Sequence, residues 1–442
     1  MAAAVHLMKT PAELTLAETF AAVEDRLPGT GDMAAARAAA FARFAASGLP
    51  HRRVEAWRYT DLRTLMREAA PLAAPPDAAA KAGAAGKGAL FAALAARRLY
   101  VVNGAFVPEL SDLSPEPGLI IGSMAAALAE GDPLVAAHLG QVVASDDAVL
   151  ALNTALMGDG VVIHVAKGVA LARPIHIVHV ADFAAPAALF VRSLLVAEEE
   201  ATVSLIETHE GPAEGTYQVN GALEIVAGDG AKVSRVKVTA EGPGALHVAS
   251  LLARVGAQAA FSEAGFVLGG AVVRNQLAIR LDGAESVAHV SGASLLSGRQ
   301  HADTTLAMEH TAPRCESREA FRAVLDGEAR DVFQGRIAVR QAAQKTDARM
   351  MSRALLLSDR AEANAKPELE IFADDVQCGH GCTAGALDAN LKFYLMARGI
   401  PETEAVALLV EAFVGEVVDQ IEDEAVRDAL MGAIRAWLLA RA

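Results

Sequence analysis

The sequence predicts a mostly β core flanked by α-helical regions at both ends. From Leu99 onward the chain contains about fifteen short runs rich in β-branched residues and separated by glycine, a pattern typical of strands and turns. Few long helical patterns lie between these runs, which excludes a doubly wound α/β fold. The strands suit coils wound as a parallel β-helix, in which each coil buries its apolar face on its neighbours. Periodicity alone does not separate this fold from a large β-sandwich, and no fixed repeat length is visible.

The length of the chain predicts more than one structural unit. A chain of 442 residues exceeds the usual limit of a single hydrophobic core, about 250–300 residues. We predict an N-terminal helical region over residues 1–98, with an Ala/Gly/Pro linker near 71–90. The β core is predicted over 99–386, with a helical insert near 130–158, and a C-terminal helical region over 387–442.

Apolar residues at intervals of three and four predict two helices in the N-terminal region, over residues 15–26 and 33–46. Asp32 is predicted to be the N-cap of the second helix. Trp57 and Tyr59 follow, and aromatic residues at such spacing are expected to pack inside the same helical layer.

The C-terminal region predicts three helices. Asp388 is suited to cap the first, which is expected to end near Gly399. The second carries one apolar stripe, formed by Val406, Leu409, Val410, Phe413, Val417 and Ile421. A similar stripe recurs over residues 424–439. Such stripes pack on neighbouring structure, bind a partner, or do both.

Charge and composition exclude several functional classes. The 39 basic and 54 acidic residues give a net charge of −15, which argues against a nucleic-acid-binding protein with a clustered positive face. No apolar run reaches the length of about 18 residues that a membrane helix needs. The first residues, MAAAVHLMKTPAEL, are interrupted by polar residues, so we expect no secretion signal. Three cysteines, an odd number, do not form a disulfide framework. We therefore predict a cytoplasmic protein.

The stretch from Pro367 to Gly399 holds the densest group of metal-ligand residue types. Cys378, His380 and Cys382 follow one another at a spacing of two, so an extended chain would present them on one face. Thiol and imidazole groups suit iron, zinc or copper. Three ligands do not complete a tetrahedral site, so further ligands would have to come from elsewhere. The alternative is that the cysteines are buried, inert side chains and that His380 is a structural histidine.

Other motifs predict no catalytic residues. Seven further histidines are scattered without metal-ligand spacing and are interpreted as hydrogen-bonded strand or loop residues: His164, His176, His179, His209, His289, His301 and His310. Asp303 and Cys315, near His310, are given the same structural interpretation. The run GDGAKV at 228–233 lacks the spacing of a phosphate-binding loop and predicts a turn. The chain is therefore expected to be neither an enzyme nor an ATP-binding protein.

Three segments carry a resemblance to a known family. The run KPELEIFADDVQCGHGCTAGALD, residues 366–388, resembles the C-terminal signature of the SufD branch of the SufB/SufD family, the scaffold proteins of the SUF iron–sulfur cluster assembly system. Residues 303–348 resemble the family's penultimate segment, and RVEAWRYTDL, residues 53–62, resembles its N-terminal motif. The resemblance covers most of the chain.

The resemblance implies a right-handed parallel β-helix and a non-catalytic scaffold. It implies pairing with SufB through the C-terminal end of the β-helix and binding of the ABC-type ATPase SufC on the terminal helices. It leaves undecided whether the chain forms a homodimer when SufB is absent. A transient iron–sulfur cluster or iron is expected at the SufB–SufD interface, with no tightly bound cofactor in the isolated chain. His380 is the implied ligand, with Cys378 as a second metal ligand.

The resemblance also suggests interface residues. Glu368 and Ile371 are predicted to face SufB, because the last coil of a β-helix presents an unpaired edge. Phe413 and Val417, on the apolar stripe, are predicted to contact SufC.

Two alternatives to a SufD-like scaffold remain at this stage. A SufB-like chain would carry a cysteine on an upstream strand and a glutamate after the matching histidine, but residues 355–359 contain no cysteine and Gly381 follows His380. Cys382 departs from SufD itself, where alanine is more usual. A polysaccharide hydrolase or lyase would normally show a secretion signal and a charged catalytic cluster along the strands, and neither is apparent.

Overall fold

The computed structural model describes residues 9–441, in which the core is a parallel β-solenoid built from two long sheets. The chain alternates between the sheets, so that each coil adds one strand to each of them. Helices flank the solenoid at both ends of the sequence. The predicted β core with helical ends is confirmed, and the parallel pairing excludes the sandwich alternative. Residues 1–8, part of the segment on which the absence of a secretion signal was predicted, lie outside the described residues.

Sheet 1 has ten strands and ends at β19. Its strands are β1 (Arg97–Val102), β2 (Ala105–Phe106), β5 (Ile175–Val180), β7 (Thr202–Glu210), β9 (Lys232–Ala240), β11 (Ala260–Val267), β13 (Val287–Leu296), β15 (Glu316–Leu325), β17 (Asp347–Leu356) and β19 (Gln377–Ala386). Apart from the β1–β2 hairpin, neighbouring strands are parallel.

Sheet 2 has nine strands and ends at β18. Its strands are β3 (Leu119–Ser123), β4 (Val161–Val165), β6 (Ala187–Ala197), β8 (Tyr217–Ala227), β10 (Ala245–Val255), β12 (Val272–Leu281), β14 (His301–His310), β16 (Arg330–Val339) and β18 (Glu362–Ile371). Only β3, next to β4, runs antiparallel to its neighbour.

The helices precede, interrupt and follow the solenoid. They are α1 (Pro11–Val23), α2 (Asp32–Ser47), α3 (Leu62–Leu65), α4 (Ala78–Ala84), α5 (Met124–Glu130), α6 (Pro133–His138), α7 (Ala148–Leu156), α8 (Ala389–Met396), α9 (Glu402–Val418) and α10 (Glu424–Arg441). Thr10 and Glu13 form a capping box that fixes the start of α1. The side chain of Asp388 accepts from the backbone N–H groups of Asn390 and Leu391, which confirms it as the N-cap of α8.

Three apolar layers hold the structure together. The interior between the two sheets is filled by aliphatic and aromatic side chains such as Ile177, Leu205 and Phe261. The outer face of sheet 2 is covered by the N-terminal helices and the insert, as where Phe44 and Leu156 join Phe190 in one cluster. The outer face of sheet 1 is covered by α9 and α10. Alternate residues of each inner strand therefore serve two separate cores.

Several local predictions can be compared with the structure. Residues 71–90, expected to form a linker, instead hold α4, whose buried Ala80 and Ala84 pack against strands β1 and β5; small alanine side chains allow this close approach. Asp32 is the first helical residue of α2 rather than its cap, which is Gly31. Residues 228–230 form the predicted turn between β8 and β9, where Gly230 has a φ of +68°. Trp57 is buried in the N-terminal layer as predicted.

Trp57 also connects that layer to the solenoid. Its indole N–H donates to Asp147 Oδ2 at 2.9 Å, and the guanidinium of Arg274 lies 3.8 Å from its ring centroid. Arg274 forms a fully buried ion pair with Asp303, to which Thr60 also donates. The segment at 53–62 therefore anchors the helical layer on strands β12 and β14.

Candidate functional site

The last coil of the solenoid is formed by β18 and β19, which are the terminal strands of the two sheets. Each pairs with a strand of its own sheet on one side, β16 and β17 respectively. In the described part of the chain, no strand covers their other side. Most residues of both strands are at least partly exposed, whereas strands in the middle of the sheets are largely buried. An uncovered edge of this length is a template for pairing with another chain.

Cys378, His380 and Cys382 lie on β19 at positions that continue the solenoid interior. In the parallel register they stand opposite Ala348, Met350 and Ser352. Ala348 and Met350 belong to the interior core, so the face that the three residues share is the inward one. Cys378 is half-buried against that core, whereas His380 and Cys382 are exposed because no further coil lies over them.

The backbone of β19 also directs hydrogen-bonding groups outward. The N–H of Gln377 donates to Thr346 of the neighbouring turn, and N–H groups alternate sides along a strand. The N–H groups that point to the uncovered edge of β19 therefore include those of Cys378, His380 and Cys382. On β18 the N–H of Glu362 donates to Ala329, on the side of the neighbouring strand β16. By the same alternation, residue 367 would direct its N–H to the uncovered edge of the sheet, but Pro367 has no N–H. Of the two terminal strands, β19 is thus better suited to accept an added strand.

The two glycines of this motif have different environments. A Cβ on Gly379 would meet no atom within 4 Å, which leaves that surface open to a neighbouring molecule. A Cβ on Gly381 would lie 2.7 Å from Cε of Met351, the flexible end of that side chain, so a larger residue here would require Met351 to move.

A buried carboxyl group lies along the same inward column. Glu319, on β15, stands opposite Met350, which in turn stands opposite His380. Burial raises the pKa of Glu319 to about 8. Burial also raises the pKa of the Cys378 thiol, and the charges of Asp347 and Glu319 add to that effect. A metal ion would have to displace the proton from this thiol before it could bind the sulfur.

The residues predicted to contact partners fall in different environments. Glu368 and Ile371 lie on β18, where Glu368 forms a 3.1 Å ion pair with Lys366 and Ile371 is exposed beside exposed Phe372. Phe413 is partly buried, and Val417 is fully buried where α9 packs on sheet 1, so Val417 supports that packing rather than presenting a free surface.

The exposed apolar surface of the C-terminal region lies on α8 instead. No residue of this helix is buried, and Phe393 is 73% exposed. Three further large apolar side chains on the helix are exposed, those of Leu391, Tyr394 and Met396. Four exposed large apolar side chains on one eight-residue helix indicate an interaction surface.

The structure brings together two histidines that the sequence pattern predicts to be separate strand residues. His179 on β5 and His209 on β7 stand opposite each other in the register, with rings parallel at 3° and centroids 4.3 Å apart. Glu207 lies on the same inward face, and its Oε1 is 3.3 Å from Nε2 of His179. Ligand atoms of the three residues lie within 4.8 Å of one another.

A network of charged side chains extends from these three residues along the interior of the solenoid. Arg235 forms ion pairs with Glu207 and, at 2.6 Å, with Glu263. Lys237 lies 3.0 Å from Nε2 of His247, whose Nδ1 is 2.8 Å from Glu241. We refer to these eight residues as the interior polar cluster: His179, Glu207, His209, Arg235, Lys237, Glu241, His247 and Glu263.

Burial determines the charge states in the interior polar cluster. The pKa of His209 is lowered well below its usual range, first by burial and then by the neighbouring charges, so the ring is neutral at pH 7. Burial likewise lowers the pKa of Lys237 to about 8. For Glu207 burial is the largest influence and acts to raise the pKa, but the charge and hydrogen bonds of Arg235 and His179 together outweigh it, so the net pKa is lowered. Burial raises the pKa of Glu263, although Arg235 opposes it.

The sequence contains one signal for this cluster: its charged residues recur at a spacing equal to the length of one solenoid coil. Arg235 follows Glu207 by 28 residues, and Glu263 follows Arg235 by 28 residues. In a solenoid with coils of this length, such residues stack on neighbouring strands. The remaining histidines singled out above include local structural groups: His176 pairs with Thr208 and His310 with Ser317.

Two features define the class of protein. One is a parallel solenoid with helices at both ends, and the other is an uncovered last coil that carries a Cys-Gly-His-Gly-Cys run. The family described as "SUF system FeS cluster assembly, SufBD core domain" matches residues 179–413, and "SufBD protein N-terminal region" matches residues 28–177. The chain belongs to the SufBD family of iron–sulfur cluster assembly proteins. This assignment leaves the polysaccharide hydrolase or lyase alternative without support.

Individual relatives agree with this assignment. The iron–sulfur cluster assembly SufBD family protein slr0076 of Synechocystis is 32% identical over 395 residues, 84% of each chain. The iron–sulfur cluster assembly protein SufD of Escherichia coli is 28% identical over 391 residues, 88% of this chain and 89% of its own. The SufBD family protein Rv1462 of Mycobacterium tuberculosis is 33% identical over 245 residues, 54% of this chain and 61% of its own. None of the described helices has the length and apolar character needed to cross a membrane.

Proposed function

We propose that this chain is a non-catalytic, SufD-like scaffold of iron–sulfur cluster assembly that works with SufB and SufC in the cytoplasm. The observation that carries the proposal is the last coil, where interior-facing positions hold Cys378, His380 and Cys382 without a covering coil. In the preceding coil, two of the three matching positions are filled with apolar core residues, Ala348 and Met350. Ligand-type side chains at an open end suit a site that a second chain completes.

The second chain is proposed to be SufB. Strand β19 offers outward N–H groups and an exposed face, and Ile371 and Phe372 add exposed apolar area near the same edge. Main-chain pairing along an open edge provides affinity, and the facing side chains provide specificity. The two departures from SufB noted in the sequence, at 355–359 and at Gly381, support the assignment of this chain to the SufD side of the pair.

SufC is proposed to dock on the C-terminal helices, with α8 as its contact surface. The apolar faces of α9 and α10 are used in covering sheet 1, whereas those of α8 remain exposed. Lys392 on α8 forms a 3.0 Å ion pair with Glu402 on α9, which links the two helices. Deletion of residues 401–442 would uncover apolar residues of sheet 1, so point substitutions on α8 give a cleaner test of docking.

His380 is proposed to supply the main ligand of this chain to the iron or nascent cluster, with Cys378 as a second ligand. A neutral imidazole binds iron without a change in net charge. Cys378 must first lose a proton from a thiol whose pKa is raised by burial. The donor groups are spread along one strand, so SufB is expected to provide the remaining ligands.

The test is cluster assembly on the purified complex with SufB and SufC. His380→Ala is expected to abolish cluster formation, measured by visible absorption and by iron and sulfide content, while the complex still elutes intact from size exclusion. Cys378→Ala is expected to reduce the yield less, and Cys382→Ala least.

The matched control is His289→Ala. His289 is also an exposed histidine on a strand of sheet 1, but it lies on β13, away from the last coil. It should leave cluster yield unchanged. A normal yield from the His380→Ala complex would return His380 to a purely structural role.

A further inference from the structure

We infer that His179, Glu207 and His209 form a second metal site, inside the solenoid, which takes one first-row divalent cation such as Fe²⁺. Two histidines and one carboxylate are the ligand set of mononuclear non-haem iron sites, and the same set suits Zn²⁺ and Co²⁺. The site is separate from the last coil and needs no partner chain, so it does not depend on the function proposed above.

The geometry allows the three groups to converge on one ion. Their ligand atoms lie within 4.8 Å of one another. The two imidazole rings are stacked, so a cation at bond lengths of about 2.0–2.2 Å would require one ring to turn out of the stack toward the ion. The strands fix the arrangement, because His179 and His209 are register partners on adjacent coils and Glu207 lies two residues before His209.

The cluster supplies outer contacts of the kind that metal ligands require. Glu207 binds Arg235 through Oε2, which leaves Oε1, the atom 3.3 Å from His179, for the ion. Arg235 is held in turn by Glu263. Such outer contacts fix the orientation of a ligating carboxylate and commonly change metal affinity about 10–100-fold.

An ion could reach the three residues from solvent. They line a small cavity of about 40 Å³ that is partly open to solvent, together with Gly104 and Ala181. His179 is the most accessible of the three, with its side chain 12% exposed. A second cleft shares Arg235 and Lys237 with the first and extends toward Ser352, the register partner of Cys382.

The experiment is metal binding by the purified full-length chain without SufB or SufC. Titration with Co²⁺, followed by visible absorption and isothermal calorimetry, should show one site per chain that Zn²⁺ displaces. His179→Gln and His209→Gln should each weaken binding about tenfold or more. His164→Gln is the matched control, because His164 also pairs with a glutamate, Glu198 at 2.8 Å, but among the described residues no third ligand group joins this pair.

A second measurement does not depend on the folding of the variants. Anomalous diffraction from crystals of the wild-type chain grown with Zn²⁺ should place the ion between His179 and His209. The inference is overturned if the anomalous peak lies only at the last coil, or if both glutamine variants bind Co²⁺ as tightly as wild type. Binding should persist in His380→Ala, so a failure of the proposed scaffold site and a failure of this interior site give different results.

Discussion

Replacing Arg235 by methionine should destabilise the solenoid, because it leaves buried carboxylates without their counter-ion. Arg235 contacts both Glu207 and Glu263, and all three side chains are at most 5% exposed. Methionine fills much of the same volume but carries no charge. Removal of one partner from a buried ion pair typically costs about 3–5 kcal/mol. We expect a loss of that size in the free energy of unfolding near neutral pH.

The loss should depend on pH in a defined direction. In the wild type the folded-state pKa of Glu207 is lowered, so its stabilising contribution is present above its unfolded pKa and is lost only as the pH falls through the lower folded value. Without Arg235, burial is the largest remaining influence and is opposed only by His179, so we expect the folded-state pKa of Glu207 to rise above its unfolded value. Stability is then lost as the pH rises, by about 1.4 kcal/mol per pH unit while the carboxyl stays protonated in the folded state.

The assay is urea unfolding of wild type and variant at about pH 5.5 and about pH 8, on either side of the expected change. The difference between the two proteins should be larger at the higher pH. Adding Glu207→Gln to Arg235→Met should recover part of the loss, because the uncompensated charge is removed. Arg299→Met is the control, since that side chain is 89% exposed and should leave the unfolding midpoint unchanged. Equal destabilisation at both pH values, or no recovery in the double variant, would refute the reasoning.

Two further predictions concern the partners. Phe393→Ser should weaken SufC binding, measured by calorimetry, about 100-fold, because burying most of a phenylalanine contributes about 3 kcal/mol. The control is Ile120→Ser, at a 63% exposed position on β3, which should not change the affinity. Unchanged affinity of Phe393→Ser would move the docking surface away from α8. Addition of SufB should slow hydrogen exchange most at the outward amides of β19, and less on β18, where Pro367 interrupts the edge. Equal protection of both strands, or none, would contradict the proposed pairing.

The sequence by itself determined which kinds of secondary structure form the fold and their order along the chain. Short β-branched runs separated by glycine predict the strands, and apolar residues at intervals of three and four predict the terminal helices. Asp388 marks the start of α8. These signals depend on local backbone chemistry. The order of motifs along the chain was also sufficient for the family resemblance. The motif at 378–382 predicts a shared face because residues two apart on a strand always share one.

Only the tertiary structure decided which residues meet across coils and which remain uncovered. Val417 is fully buried where α9 covers sheet 1, while the neighbouring helix α8 is exposed, and the apolar stripe alone could not separate the two. His179, Glu207 and His209 belong to successive coils, and their meeting depends on the winding of the solenoid and on the register between β5 and β7. Local sequence fixes the direction of each side chain relative to its own strand, but the neighbours of that side chain are set by contacts between distant segments.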